Sequence, residues 1–196
     1  RRRWLDWGVF HVEPSFLEHW LRFSRALRQR NAALKQGTDP GAWDGEVALH
    51  GEQVAKQRSL WFETVKPYFL EAIQRLSGLD VEPTYFRGWH AERTLAEALV
   101  EGVDRDRVRG STLAGPQRGD VHLRVGGRAA REILSRGQQK LVASAMVLAL
   151  LQRLREQEAT PPTLLLDDPA AELDAHRLGS LVQMVAALEC QLVITS

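Results

Sequence analysis

Residues 163–195 constrain the fold of this chain more than any other region. A run of four uncharged residues ends in the acidic pair Asp167 and Asp168. A helical pattern follows over 175–188, and a second apolar run occupies 192–195. Strand, helix and strand in this order are typical of neighbouring parallel strands that are buried on both faces. We therefore expect an α/β fold with a parallel sheet.

The residues from Ser15 to about Gly37 have the pattern of an amphipathic helix. Ser15 and Glu18 have the spacing of a capping box, in which each side chain bonds the other residue's backbone N–H. Large apolar residues then recur at helical intervals until Gly37 and Pro40 end the pattern. We therefore expect a long helix that is capped by Ser15.

Two further helical patterns follow in the first half of the chain. One runs from about Trp43 to Ser77, and Pro67 within it predicts a kink or a break. The other starts near Ala91 and continues past Val103. A short extended segment separates them, so residues 15–107 are expected to form a mostly helical module.

The pattern changes after residue 107. Apolar residues alternate over 121–125, and Gly126-Gly127 is typical of a hairpin turn. A long helix is expected after Ser135, before the parallel strands of the 163–195 region.

The composition excludes several classes of protein. Hydrophobic residues make up 44% of the 196 residues, which is enough for a packed core. No apolar run approaches the ~20 residues of a membrane-spanning helix. The single cysteine, Cys190, excludes an internal disulfide and fits a reducing compartment, so we expect a cytoplasmic protein without a membrane partner. The six histidines lack the spacing of metal ligands, so we expect no zinc site.

Positive charge is concentrated near the start of the chain, although the net charge is only +1. Residues 1–30 hold seven arginines and three acidic residues. Such a block either contacts nucleic-acid phosphates or forms the solvated face of a helix. The candidate DNA contacts are Arg22, Arg25 and Arg28, which follow one another at intervals of three.

The start of the helix after Leu134 is a candidate phosphate site. Ser135 and Gln138 have the spacing of a capping box, and that role alone would explain them. A helix N-terminus with a hydroxyl and a glycine also favours phosphate, because its free N–H groups and dipole attract anions. Gly137 would let a phosphate approach the backbone closely.

The acidic residues around 167–174 are candidates for nucleotide chemistry. Asp167 and Asp168 follow a buried strand, where one carboxylate can hold Mg²⁺ and another can position the water that attacks a phosphate. Asp174 is the expected N-cap of the following helix. Apolar strands that end in two aspartates are also common without any function, so a structural role stays open.

Taken together, these motifs resemble the second half of an ABC-type ATPase, with a signature motif, a Walker B strand and a D-loop in order. The usual signature is Leu-Ser-Gly-Gly-Gln, and here Arg136 replaces the first glycine. That replacement resembles the RecF family. Further stretches that resemble this family are Arg2–Asp6, Phe10–Val12, Leu27–Asn31, Gly115–Asp120 and Leu134–Lys140.

The resemblance extends from one end of the chain to the other, with two departures in one loop. The family usually has histidine where Gln117 stands and a second acidic residue where Gly119 stands. The nucleotide motifs are intact, whereas the Gly115–Asp120 loop departs from the family pattern at these two positions.

The resemblance implies a fold and a set of domains. The chain would be a partial ABC-type ATPase lobe, similar to the heads of Rad50 and SMC proteins, that is interrupted by a helical arm. The lobe would comprise residues 1–14 and 108–196, and the arm residues 15–107. The family places its phosphate-binding loop upstream of Arg1. We therefore expect this sequence to be a piece of a longer protein and to lack ATPase activity by itself.

The resemblance also implies a mechanism in which two protomers enclose two ATP molecules. Ser135, Arg136, Gly137 and Gln138 of one protomer would contact nucleotide bound by the other. Asp167 would bind Mg²⁺, Asp168 would position the attacking water, and Asp174 would lie at the dimer interface. Hydrolysis would be slow and would release the dimer.

The implied partners are those of recombinational DNA repair. The family binds double-stranded DNA next to single-stranded gaps and acts with RecO and RecR to load RecA. Two alternatives remain from the sequence. One is another repair ATPase of the Rad50 or SMC type, although no long heptad pair is present. The other is a non-enzymatic helical interaction module.

Overall fold

The computed structural model describes residues 2–156, 163–167, 175–188 and 190–195. The helices in these residues are α1 (Arg2–Val12), α2 (Phe16–Gln36), α3 (Asp44–Ser77), α4 (Leu95–Arg109), α5 (Ala130–Ile133), α6 (Arg136–Arg155) and α7 (Ala175–Ala187). The strands are β1 (Glu82–Phe86), β2 (Asp120–Val125), β3 (Arg128–Ala129), β4 (Thr163–Asp167) and β5 (Gln191–Thr195). Single turns of 3₁₀-helix lie at Gly41–Trp43 and Pro116–Arg118.

The expected α/β fold with a parallel sheet is confirmed. Strands β4 and β5 are parallel, with Thr163 opposite Gln191 and Asp167 opposite Thr195, and helix α7 connects them. The expectation that both faces of these strands are buried is wrong, because Leu165 is 71% exposed. In the part of the chain that the structure describes, this sheet has only two strands, and the face that carries Leu165 is left uncovered.

The predicted hairpin is also confirmed. Strands β2 and β3 are antiparallel and belong to a sheet with the order β1–β2–β3. Gly126 and Gly127 connect them with φ values of 55° and 75°. Both angles are left-handed, as a two-residue hairpin turn requires, and glycine adopts them without strain.

Helix α2 has the predicted end but a different start. Gly37 adopts a left-handed conformation with φ of 71° and closes the last turn, as expected. Ser15 does not cap the helix. Its hydroxyl donates a hydrogen bond to Glu13 Oε1 at 2.7 Å and accepts one from Gln57 Nε2 at 2.8 Å. The predicted capping box is therefore wrong, because partners outside the helix occupy the serine.

Helices α3 and α4 also differ in detail from the sequence pattern. Helix α3 is a single helix that contains Pro67, so the proline does not break it. Helix α4 starts at Leu95 and not near Ala91, because Thr94 and Glu97 form a capping box there. The hydrogen bonds at Thr94 hold the pKa of the Glu97 carboxyl below its usual value.

The chain divides into two compact units. The first comprises Arg1–Phe62 and Tyr85–Val121, and the second comprises Glu63–Thr84 and His122–Ser196. These units are defined by contacts within the chain. They do not test the assignment of residues 15–107 to an arm and of 1–14 and 108–196 to an ATPase lobe, which stays a prediction.

The first unit is a helical core with very close helix contacts. Gly8 of α1 lies directly against Trp61 of α3, where an added Cβ atom would lie 2.1 Å from the indole nitrogen. Gly51 of α3 lies similarly close to Leu95 of α4, at 2.5 Å from an added Cβ. The glycines therefore set how closely these helices approach.

The second unit is built around helix α6. Nine of its residues are buried, and they lie on several sides of the helix, which is typical of a helix at the centre of a core. The buried residues are Leu141, Val142, Ala145, Met146, Leu148, Ala149, Leu150, Leu151 and Leu154. The N-terminus of this central helix carries the predicted signature motif.

Candidate functional site

The predicted capping box at the start of α6 is present. The backbone N–H of Gln138 donates to Ser135 Oγ at 3.3 Å, and the backbone N–H of Ser135 donates to Gln138 Oε1 at 2.9 Å. The side chain of Gln139 adds a hydrogen bond to the carbonyl oxygen of Leu134 at 2.9 Å. The structural role of Ser135 and Gln138 is therefore confirmed, and three hydrogen bonds hold the first turn of α6.

The same helix start has the features of an anion site. Helix geometry leaves the backbone N–H groups of Arg136 and Gly137 without partners inside the helix. The side chains of Ser135 and Arg136 are exposed. The positive end of the helix dipole adds to the attraction for a negatively charged group.

Nothing in the structure of this chain requires glycine at position 137. Its φ lies outside the left-handed region, and an added Cβ atom would meet no atom within 4 Å. Alanine would therefore fit, and it is the better helix former by up to about 1 kcal/mol. The open space in front of this glycine suits the close approach of a ligand from outside the chain.

Asp167 lies where the sequence predicted, at the last position of β4. Its side chain is exposed, and its Oδ1 accepts a hydrogen bond from Thr195 Oγ1 of the paired strand at 2.6 Å. Exposed carboxylate oxygens at the C-terminal edge of parallel strands suit a hard cation such as Mg²⁺. The other two predicted acids, Asp168 and Asp174, lie outside the described residues.

The remaining family-like stretches come together in the first unit. Arg58 is 3% exposed and binds the carboxylate of Asp6 with two hydrogen bonds of 2.6 and 3.0 Å. Its Nη1 donates to the carbonyl oxygen of Pro116 at 2.7 Å. Arg2 also donates a hydrogen bond, to the backbone carbonyl oxygen of Gln117. Arg58 and Arg2 thus connect the Arg2–Asp6 stretch with the Gly115–Asp120 loop.

A second buried arginine connects the Leu27–Asn31 stretch with the segment before that loop. Arg30 is completely buried and contacts Asp44 and Asp106, each at 2.6 Å, and Thr112 Oγ1 at 2.8 Å. Asn31 accepts hydrogen bonds from the backbone and the hydroxyl of Thr112 at 2.8 and 2.7 Å. One continuous polar network therefore holds α2, α3 and α4 to the chain after α4.

Close backbone packing fixes the Gly115–Asp120 loop further. Gly88 has φ of 108°, and an added Cβ would lie 1.9 Å from the carbonyl oxygen of Gly115. Gly119 also lies tightly against the backbone of Phe86 and Arg87, with 3.0 Å between an added Cβ and the nearest oxygen. The glycine at 119, where the family usually has an acidic residue, is the residue that this packing admits.

The predicted DNA-contact residues lie on the exposed side of α2. Arg22, Arg25 and Arg28 are all exposed. Arg22 forms an ion pair with Glu18 at 2.9 Å, in which both side chains are about 60% exposed. An exposed pair of this kind leaves the arginine available to a phosphate at little cost.

The described residues contain neither a membrane-spanning helix nor a cluster of metal-binding side chains. No helix in them is long and apolar enough to cross a membrane. They also contain no group of three histidine, cysteine, aspartate or glutamate side chains that could hold a metal ion.

Comparison with known proteins identifies a family. No family model matches the chain. It is 42% identical over 200 residues to the DNA replication and repair protein RecF of Pseudomonas aeruginosa (strain LESB58). It is 41% identical over 202 residues to the RecF protein of Stutzerimonas stutzeri (strain A1501). Each match includes all of this chain and 54% of the relative, so the chain spans about half the length of these curated relatives.

The same fold occurs in solved structures. A structure of the recombination mediator protein RecF with ATP, described as part of the RecFOR pathway, matches with a TM-score of 0.83 at 24% identity. A second RecF structure, with ATPrS, has a TM-score of 0.84 at the same identity. All of this chain is matched, against 57% of each solved chain. With the sequence matches over its whole length, the chain belongs to the RecF family of DNA replication and repair proteins.

Proposed function

We propose that this chain is part of an ATP-dependent DNA-binding protein of recombinational repair, which dimerises on DNA when it binds ATP. The observation that carries the proposal is the first turn of α6. It combines a capped helix start with exposed Ser135 and Arg136 and with open space at Gly137. Support also comes from a matched solved structure that is described as RecF with ATP, and from relatives that are named for DNA replication and repair.

In this proposal, the first turn of α6 binds the γ-phosphate of ATP held by a second copy of the protein. The N–H groups of Arg136 and Gly137, the Ser135 hydroxyl and the Gln138 side chain would donate to the phosphate oxygens. The site is complete only when two protomers meet. Binding of ATP would therefore stabilise the dimer, and hydrolysis would release it.

The acidic residues have complementary roles. Asp167 would hold Mg²⁺, which neutralises charge on the phosphates, and Thr195 would keep its carboxylate in place. Asp168 would orient the attacking water, and Asp174 would lie at the interface between protomers. Residues 1–14 and 108–196 would form the ATPase lobe, and residues 15–107 the arm.

The proposed biological setting follows from the family. The intact protein would act in the cytoplasm on double-stranded DNA next to single-stranded gaps, with RecR and RecO as partners in loading the recombinase. Weak ATPase activity would belong to the intact protein. A Rad50- or SMC-like role and a purely structural helical module are the competing functions. ATP-dependent dimerisation of the full-length protein would exclude the structural module.

Asp168→Asn tests the hydrolytic step. Asparagine keeps the size of the side chain. Its amide cannot take a proton from the attacking water, however, and it forms a weaker hydrogen bond with that water than the carboxylate does. In the full-length protein, we expect ATP turnover to fall by about two orders of magnitude or more, since a positioned base contributes about 10²–10⁴-fold. ATP binding should persist because Asp167 is unchanged, and the ATP-bound dimer should live longer. Single-turnover hydrolysis and equilibrium ATP binding would measure the two effects.

A matched change separates this role from a general effect of charge. Glu156 is an exposed acid at the end of α6, so Glu156→Gln should leave ATP turnover unchanged. Turnover at the wild-type rate in Asp168→Asn would show that another residue positions the water.

The arginines of α2 test the proposed duplex contacts. Replacement of Arg22, Arg25 and Arg28 with alanine removes up to three phosphate contacts. The slope of log binding constant against log salt for double-stranded DNA should then fall by about 0.9 for every phosphate that an arginine no longer neutralises. Fluorescence anisotropy over a range of salt concentrations measures this slope.

The matched control removes three arginines from α4 instead. Arg105, Arg107 and Arg109 are also exposed, and their replacement with alanine changes the net charge by the same amount. An equal decrease of the slope in both variants would point to net charge alone. An unchanged slope in the α2 variant would make this face of α2 a solvated surface.

A further inference from the structure

The first unit contains a groove that the nucleotide motifs do not use. It is lined by residues 52–60 of α3 and by residues 85–91, at the end of β1 and directly after it, and its volume is about 840 Å³. This volume is within the range of pockets that bind organic ligands. The groove therefore has room for a short flexible chain.

One wall of the groove is held in a defined conformation. The Arg87 guanidinium stacks on the Trp89 ring at 4.4 Å from its centroid. The same guanidinium donates hydrogen bonds to the carbonyl oxygens of His90 and Ala91 at 2.8 and 3.0 Å. Trp89 Nε1 donates to the carbonyl oxygen of Arg93 at 3.0 Å. A wall that is already ordered loses little conformational entropy when a ligand binds.

Apolar side chains are exposed along this groove. Phe86 is 40% exposed, and Leu60 is 61% exposed. Single apolar residues are common on protein surfaces, but these two line the same concave site. An exposed aromatic ring in a groove is a surface on which an unpaired base can stack.

The charges that line the groove favour an anionic ligand. Lys56 and Arg87 are its basic residues, and Glu52 is the acid among its lining residues. Glu52 Oε1 accepts a hydrogen bond from the backbone N–H of Leu95 at 2.6 Å, at the N-terminus of α4. The positive end of that helix balances the carboxylate, so Lys56 and Arg87 determine the charge of the groove.

We propose that this groove binds a short stretch of single-stranded DNA, with an unpaired base against Phe86 and Leu60 and its phosphate facing Lys56. This inference rests on the proposed DNA-binding function and adds a site for the single strand to it. A base inside a duplex is already stacked on its neighbours and is not available to Phe86. The groove therefore discriminates between single-stranded and double-stranded DNA.

Two substitutions in the full-length protein test the groove with a fluorescent oligodeoxythymidylate. Phe86→Ala should weaken binding of this oligonucleotide about tenfold, because it removes one stacking surface. Phe86→Trp should preserve the binding. Lys56→Ala should reduce the salt slope by about 0.7, which is the value for one phosphate contact on a single strand. Binding of a blunt duplex should be unchanged in all three variants.

Controls outside the groove match each change. Val108 is 92% exposed on α4, and Lys35 is an exposed lysine on α2, so Val108→Ala and Lys35→Ala should bind the oligonucleotide like the wild type. The urea midpoint of Phe86→Ala shows whether the variant is folded. Lys56→Ala changes an exposed side chain, so it tests oligonucleotide binding in the groove independently of Phe86→Ala.

The possible results separate this inference from the proposed function. If Phe86→Ala and Lys56→Ala bind the oligonucleotide like the wild type, the groove is not its site, although DNA binding by the protein stands. If both variants instead lose a protein partner while DNA binding persists, the groove is a protein-docking surface and the inference is wrong. If the wild type binds neither the oligonucleotide nor the duplex, the inference and the proposed function both fail.

Discussion

Replacing Ser135 with aspartate is expected to weaken ATP-dependent dimerisation strongly without weakening the fold. Aspartate caps helices as well as serine does, so the free energy of unfolding should change by less than about 0.5 kcal/mol. The carboxylate would, however, face the γ-phosphate of the partner's ATP. Each of two sites in the dimer would lose a bond worth about 1.5–3 kcal/mol and gain a repulsion. Dimerisation should weaken by roughly a hundredfold or more.

Sedimentation of the full-length protein with and without ATP measures this effect, and urea unfolding measures the stability. Ser135→Arg is the companion variant, since arginine loses the cap and opposes the helix dipole, at a cost on the order of 1 kcal/mol. Both variants should bind ATP as monomers. If Ser135→Asp dimerises with ATP like the wild type, Ser135 is only a helix cap.

The largest effect on stability is expected for Arg30. Arg30→Met removes a completely buried cation that contacts Asp44, Asp106 and Thr112. Asp106 is 1% exposed and would remain as a buried charge without its partner. The loss of one member of a buried ion pair costs about 3–5 kcal/mol. The urea midpoint of the full-length protein should therefore fall sharply.

Arg28→Met is the matched control on the same helix. Arg28 is exposed, and a change at such a position alters stability by about 0.5 kcal/mol or less. Arg30→Lys should lie between the two, because lysine restores the charge but not the forked hydrogen bonds. Equal urea midpoints for Arg30→Met and Arg28→Met would show that the network contributes nothing to stability.

Features that depend on neighbouring residues were predictable from the sequence. The Ser135–Gln138 capping box and the Gly126-Gly127 turn need partners within three residues, and both are present. The parallel pairing of β4 with β5 followed from the order of strand, helix and strand. Local chemistry and chain order determine such features, so one sequence is sufficient.

Features that depend on distant partners were missed or wrongly predicted. Ser15 has the sequence of a cap, but Gln57, 42 residues away, holds its hydroxyl elsewhere. The burial of Leu165 depends on what covers the sheet, and the pattern of one strand cannot show that. Local sequence rules therefore fail where contacts with distant residues determine the partner or the burial of a side chain.

The two buried arginines were missed, although a signal for them existed. Arg58 lies on the buried stripe of α3, between Val54 and Trp61. Arg30 lies among the buried residues of α2 in the same way. A charged residue at a position that helical periodicity predicts to be buried indicates an internal ion pair. The partners, 52 and 76 residues away for Asp6 and Asp106, could not be predicted from spacing.

The shared nucleotide site is tested most directly by mixing two inactive full-length variants, Ser135→Arg and Asp168→Asn. In the mixed dimer, one composite site would contain both defects, and the other would contain neither. We predict that mixing restores part of the wild-type ATPase activity, although each variant alone has almost none. If sedimentation shows that mixed dimers form and no activity returns, Ser135 does not act on ATP bound by the partner, and the central claim is contradicted.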